Sequence, residues 1–375
     1  MNLDEVRAHI PTSSRYVYLN HAACAPLPIE VQAAQKKYVE ERALHGDVVY
    51  EQWIEKTEAT RKLVADFIGG YPEEIAFLKN TSEGINLVAT MLPFAENDNV
   101  VTTDLEFPSN FLPWYDLQRK GVEFRVVKNK NHVLELEDFE KVIDDNTKCV
   151  AASHVEFATG FKNDIKALSD LCNDHHAYFF VDPIQSLGAL SFDLKETPMD
   201  FFSSACYKWL MSELGISIFY IRRELLNQFH PPYIGWFSLK DYLNYEKFDR
   251  EHPEITTTAR KFECGNLNFY GVCTLYASLQ FLNQFSKKWV EDRVLELADH
   301  VMDAASEKGF EVQTPPDHAG IVNFKVKNPG QVVETLKARN IIVSSRAGGI
   351  RVSAHFWNTL EEVDTLVKAV EDICC

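Results

Sequence analysis

An apolar run, Ala177-Tyr178-Phe179-Phe180-Val181, delivers Asp182 at what reads as the carboxyl end of a strand, with Gln185 and Ser186 just beyond. A further short apolar run ends in Tyr207-Lys208-Trp209. A lysine between two aromatics, beside a sheet, sits where desolvation disfavours the ammonium, and the neutral amine can condense with an aldehyde to a Schiff base. A carboxylate at one strand end and such an amine at another form the pair that pyridoxal phosphate chemistry needs. The carboxylate holds the proton of the pyridine nitrogen and the lysine tethers the aldehyde. Taken singly, Asp182 also reads as a helix cap and Lys208 as a solvated side chain. The ordered pair within one strand–helix–strand unit is what points to chemistry.

Two further stretches suit the same ligand. In Asn80-Thr81-Ser82-Glu83-Gly84 a strand turns into a helix, so backbone N–H groups and the helix dipole favour a phosphate, and Thr81 and Ser82 add hydroxyl donors. An ordinary helix start, with Asn80 and Glu83 as a capping box, is the plainer reading. Leu105-Glu106-Phe107-Pro108-Ser109-Asn110 follows another strand end and offers Phe107 to cover a flat heterocycle. Such stacking contributes about 0.5–1.5 kcal/mol beyond burial. A core phenylalanine under a proline turn is the alternative.

The elements that must position these residues alternate along the chain. A long amphipathic helix is expected over Tyr50 to Ile68, ended by Gly69-Gly70 and Pro72. Strands are expected at Ile75–Leu78, Val100–Asp104, Val122–Val127, Cys149–Ser153, Ala177–Asp182 and Gly215–Ile221. Helices fall between them at 80–91, around Pro113-Trp114 and at 164–175. That alternation predicts an α/β fold, a mostly parallel sheet with helices on both faces and ligands beyond the strand carboxyl ends. After about residue 250 the texture becomes α+β: helices at 270–284 and 287–308, short strands at Ile321–Val326 and Ile341–Ser344, and a final helix from Thr359 whose Glu362 completes a capping box. The expected division is a large domain over residues 15–250 and a small α+β domain over 251–375 with 1–14.

With 375 residues, 46% of them apolar and 25% charged, the chain has ample core for two domains. Its net charge of −17 argues against nucleic acid and anionic membranes as partners, so an anionic ligand must be held by local donors. No apolar run approaches the roughly 20 residues of a membrane span, and the first residues do not form a secretion signal. Eight cysteines without CxxC or zinc-site spacing indicate a reduced, cytoplasmic protein with no metal centre.

Taken together, Asn80–Gly84, Glu106–Asn110, Ser153-His-Val-x-x-x-Thr-Gly160, Val181-Asp-x-x-Gln-Ser-Leu-Gly-Ala189 and Tyr207-Lys-Trp209 resemble the class V aminotransferases, the cysteine desulfurase-like group of fold-type I pyridoxal phosphate enzymes. Leu19-Asn-His-Ala-Ala23, Phe262–Asn268 and Gly349–Thr359 extend the resemblance to about residues 16–370, and Gly235-Trp-Phe-Ser238 is similar to the isopenicillin N epimerase-like and selenocysteine-lyase-like members. The resemblance implies that Lys208 is the Schiff-base lysine and the proton carrier at Cα. It implies that Asp182 pairs with the ring nitrogen, Gln185 bonds the phenolic oxygen and Phe107 stacks on the ring, while Thr81, Ser82 and Tyr207 hold the phosphate. Asn266 falls where a threonine reaches the phosphate of a neighbouring subunit, implying a homodimer with a shared active site, and Arg351 falls on the clamp for the substrate carboxylate. His21, Glu156 and Arg346 are expected near the substrate.

Departures from the pattern narrow the expectation. The segment Ile341–Ile350 is short and holds no cysteine where desulfurases carry their nucleophile, Phe107 replaces their histidine, and Ala205 stands where many members have a hydroxyl. The expected activity is therefore a pyridoxal-phosphate enzyme acting at Cα of a small amino acid, by transamination. An epimerase or a cysteine- or selenocysteine-type lyase is the alternative on the same scaffold. A catalytically silent protein that binds cofactor or partner proteins is the reading from another class.

Overall fold

The computed structural model describes residues 2–374. Its strands are β1 (Val17–Tyr18), β2 (Ile75–Leu78), β3 (Asn99–Thr103), β4 (Glu123–Val127), β5 (Thr147–Ser153), β6 (Tyr178–Asp182), β7 (Phe201–Ala205), β8 (Ser217–Ile221), β9 (Ile321–Lys325), β10 (Ile341–Ile342), β11 (Ser344–Arg346) and β12 (Gly349–Ser353). Its helices are α1 (Leu3–Ala8), α2 (Ile29–His45), α3 (Tyr50–Ile68), α4 (Thr81–Met91), α5 (Leu112–Tyr115), α6 (Leu136–Glu140), α7 (Ile165–Asp174), α8 (Phe269–Leu282), α9 (Lys287–Glu307), α10 (Pro329–Ala338) and α11 (Leu360–Cys374).

Seven strands make one sheet in the order β2-β8-β7-β6-β5-β3-β4. Strands β7, β6, β5, β3 and β4 are paired in parallel, and β8 alone runs against its neighbours β2 and β7. The strands are apolar on both faces because both are covered, and their alternation feeds two separate cores. Phe77, Val101, Val150, Val181 and Tyr220 pack into one, while Ala76, Val100, Ala151, Phe180 and Phe219 pack into the other. The expected α/β class is the observed one.

The C-terminal part carries a three-stranded antiparallel sheet, β11-β12-β9, and a two-stranded parallel pair of β1 with β10. The strand expected over Ile341–Ser344 breaks at Val343, so that β10 turns to β1 and β11 to β12. Packing also crosses the division expected at residue 250. Val272, Leu275, Leu279 and Phe281 of α8 join the core under the large sheet, and residues 17–18, expected in the large domain, pair with β10. The helix expected around Pro113-Trp114 is a single turn, α5, while α1, α2, α6, α10, β1 and β12 were not anticipated. No helix among the described residues is long and apolar enough to cross a membrane.

Candidate active site

Adjacent parallel strands bring the two opening residues together. β6 ends at Asp182, β7 lies beside it in register (Val181 opposite Phe202), and Lys208 follows three residues past the end of β7. Asp182 is 3% exposed, and its Oδ1 accepts the Ile184 N–H at 3.0 Å. Burial pushes its carboxyl up to about 6, against the pull of that N–H and of Lys208. Desolvation brings the Lys208 amine down to about 8; Asp182 resists this, while Arg351 and Arg346 add to it. A neutral amine is therefore accessible near neutral pH, as the flanking aromatics predict.

Each flank of this pair is anchored. Gln185 donates from Nε2 to the Ala22 carbonyl (3.1 Å) and accepts the Trp209 indole N–H (3.0 Å), which leaves one amide N–H for a ligand. The Ala25 N–H donates to the Tyr207 carbonyl at 2.9 Å. Thr81 opens α4, and its Oγ1 accepts the Ala205 N–H (2.9 Å), so its own hydroxyl proton stays free to donate. Ser82 donates to Ser109 Oγ (2.8 Å), which ties the N-terminus of α4 to the turn that carries Phe107. Asn80 accepts the Glu83 N–H (2.9 Å) as expected, but Glu83 takes the Lys79 N–H instead of closing a capping box.

Phe107 is 47% exposed, packed edge-on against Phe157 at 5.2 Å, so the core reading of this residue is excluded. Arg351, on β12, is 2% exposed. Its Nε donates to Ser344 Oγ (3.2 Å) and its Nη1 to the Phe157 carbonyl (2.8 Å), while Nη2 is buried with no partner. Burial, then Arg346, brings its guanidinium down to about 9. An unpartnered guanidinium nitrogen in a desolvated pocket is a seat for a carboxylate.

His21 and Glu156 border the Asp182–Lys208 pair, with His21 against Trp209 and Glu156 within electrostatic reach of Asp182, whereas Asn266 is at the surface. His21 is fully buried, caged by Tyr18, Trp209, His355 and Trp357, with Nδ1 facing the Ser353 carbonyl at 3.1 Å. Burial holds it neutral, well below the usual histidine range, and its Nε2 is buried without a partner. Asn266 is exposed and accepts the Tyr50 hydroxyl at 2.7 Å, both lining a surface cavity with Ile234, Trp236, Leu243 and Tyr245. Glu156 is wholly buried, with one oxygen accepting from Asn163 (3.0 Å) and the other unpartnered. Desolvation and neighbouring Glu106 drive its carboxyl well up, which favours the protonated form.

Two residues acquire places that the sequence did not assign. Glu106 accepts the Ser153 N–H (2.5 Å) and hydroxyl (2.6 Å), and Ser153 lies opposite Asp182 in the sheet. Its position one residue before Phe107 was the available signal. Cys24 lies within electrostatic reach of Lys208, and burial and Glu213 keep its thiol raised, in the protonated form. Cys149, Cys172 and Cys206, by contrast, are buried thiols.

These residues fit pyridoxal phosphate: a depressed lysine amine, a buried carboxylate beside it, an exposed ring to stack, hydroxyls at the start of an eleven-residue helix, and an orphaned guanidinium nitrogen. The chain is 31% identical to a protein of Pyrococcus abyssi named probable cysteine desulfurase, over 99% of this chain and 97% of that one. It is 28% identical to the uncharacterized aminotransferase YcbU of Bacillus subtilis, over 96% and 95%. The apo cysteine desulfurase of Thermococcus onnurineus superposes with a TM-score of 0.91 at 31% identity, covering 99% and 98%. A complex of the cystine C–S lyase C-DES with cysteine persulfide shares the fold, with a TM-score of 0.90 at 19% identity over 97% and 99%. The sequence profile described as Aminotransferase class-V matches residues 17–366, and with the lysine, carboxylate and arginine in place the chain belongs to that family of pyridoxal-phosphate enzymes.

Proposed function

We propose that the chain transaminates a small amino acid at Cα. The observation that carries this reading is the β11–β12 hairpin. Arg346 pairs with Gly349 across the two-residue turn Ala347-Gly348, so no mobile loop and no thiol precede Arg351. A sulfur-transfer nucleophile has no place there, and Cys24, the thiol near Lys208, is held protonated.

Pyridoxal phosphate supplies, when bound, the electron sink for a bond broken at Cα. The chain supplies the rest. Asp182 holds the ring-nitrogen proton from a site where no water competes. The Arg351 Nη2 would take the substrate carboxylate and so fix the orientation of Cα. Lys208, neutral above about pH 8 and half neutral at it, moves the proton at Cα. Phe107, exposed and without a titratable group, would cover the ring and leave proton transfer to Lys208.

A β-elimination lyase is the second reading, favoured by the desulfurase names among relatives near 31% identity. One experiment separates the two. Holoenzyme mixed with an amino acid and no keto-acid acceptor should release about one keto acid per site, retain the amino group and stop. Continuous release of ammonia, with or without sulfide, would establish elimination instead.

The same reading includes a homodimer and a cytoplasmic location. Val48, Ile234, Leu243 and Tyr245 are more than half exposed around the cavity that holds Asn266, an apolar face suited to a second copy of the chain. Asn266 would then reach the neighbour's phosphate. Buried free thiols at Cys149, Cys172 and Cys206 suit a reducing compartment.

A further inference from the structure

We propose that Arg346 and Arg351 form a two-point anion site, so that the preferred amino acid carries a carboxylate on its side chain as well as at Cα. The proposal rests on the transaminase reading for the role of Arg351 and adds the substrate class.

The hairpin fixes the pair. Ser344 lies opposite Arg351 and Arg346 opposite Gly349, so Arg346 and Arg351 are diagonal neighbours on one face. Ala347 (φ 46°) and Gly348 (φ 76°) both adopt the left-handed conformation, the tight two-residue connection whose twist matches the strands. Such a turn leaves no slack between the two arginines. Asn323, opposite Arg351 on β9, donates to the Arg346 carbonyl at 2.9 Å and to the Ala158 carbonyl at 3.0 Å, which locks the hairpin against the turn after β5.

Around Lys208 the cations outnumber the carboxylates, with Arg351 and Arg346 set against Asp182. Arg7, Arg61, Arg125, Arg222 and Arg293 each hold a carboxylate. Among the described residues neither Arg346 nor Arg351 has a carboxylate within ion-pair distance. The exposed Arg346 guanidinium is bonded to the Ser345 carbonyl (2.6 Å), and Arg351 keeps Nη2 unpartnered. Both cations press on Lys208, and Arg346 presses on Arg351. In a chain of net charge −17, two guanidiniums and a lysine converge with Asp182 as the carboxylate acting on the lysine. A single α-carboxylate satisfies the buried fork of Arg351; the second cation, at the open side, calls for a second anion.

The test uses holoenzyme with aspartate against asparagine and glutamate against glutamine, pairs of nearly equal shape and different charge. Affinity is read from the change in cofactor absorbance, and rates from keto-acid release. Aspartate or glutamate should be preferred over its amide by about tenfold or more, as expected for one charge-assisted contact. That ratio should approach one in Arg346→Ala, recover in part in Arg346→Lys, and shrink with added salt. Equal binding of acid and amide by the wild type, or an undiminished ratio in Arg346→Ala of unchanged Tm, overturns the proposal. Calorimetry with succinate, which cannot be transaminated, keeps it separate from the activity. Succinate bound by wild type and lost in Arg346→Ala supports the anion pair even if no amino acid turns over. Turnover without a charge preference leaves the transaminase reading and removes this one.

Discussion

Lys208 shows how far a residue's type carries the argument and where its surroundings take over. Its aromatic neighbours announce desolvation in the sequence, but the two arginines that depress it further come from a distant hairpin. In apoprotein, capture of pyridoxal phosphate should accelerate about tenfold per pH unit below pH 8 and level off above it, since the neutral amine attacks. Arg351→Ala should move that midpoint upward, and stopped-flow absorbance between pH 6 and 10 checks both statements. Glu156 makes the opposite prediction. Its folded carboxyl titrates above its unfolded value, so the native state binds the extra proton and stability falls as pH rises through the interval between them. Glu156→Gln removes that slope. The variant should gain on wild type from about pH 5 upward, by at most about 1.4 kcal/mol per unit, in urea midpoints at several pH values. Asp182, Lys208 and Arg351 could be singled out in the sequence because each side chain has one chemistry and a motif around it, and the fold sets Asp182 and Arg351 within electrostatic reach of Lys208. The cage around His21 could not, because it is built by Trp209, His355 and Trp357, which only the fold brings to it.

Among the elements, the strands of the large sheet were readable because burial on both faces makes them continuous apolar runs. Helix α2 was not: only Val31 and Tyr38 of its seventeen residues are buried, so it has no apolar stripe to detect. Strand β12 was hidden by its arginine, a buried charge inside a five-residue strand that is otherwise apolar or small. The turn after β5 deserves a test of its own, since it joins the sheet to Arg351 through the Phe157 carbonyl. Gly160 closes it at φ 81°, and an added Cβ would stand 1.9 Å from the Ile321 carbonyl oxygen. Gly160→Ala should cost about 2 kcal/mol or more in stability and weaken amino-acid binding beyond cofactor binding. Denaturant unfolding and substrate titration on one preparation measure the two effects.

For the molecule as a whole, the apolar face around Ile234 and Leu243 governs assembly under the proposed dimer. Leu243→Arg at that face should shift sedimentation from dimer to monomer and loosen the cofactor. A variant that stays dimeric would move the interface elsewhere. The parallel pairing of β1 with β10 has a further consequence, which concerns biosynthesis. Val17 and Tyr18 are translated first but must wait for Ile341 and Ile342. At roughly 5–20 residues per second the delay is tens of seconds. Until then the segment whose Ala22 and Ala25 brace Gln185 and Tyr207 lacks the strand that holds it. A ribosome-bound chain would thus expose a finished sheet with an unfinished cofactor pocket, and loading with pyridoxal phosphate would belong to the moments after release.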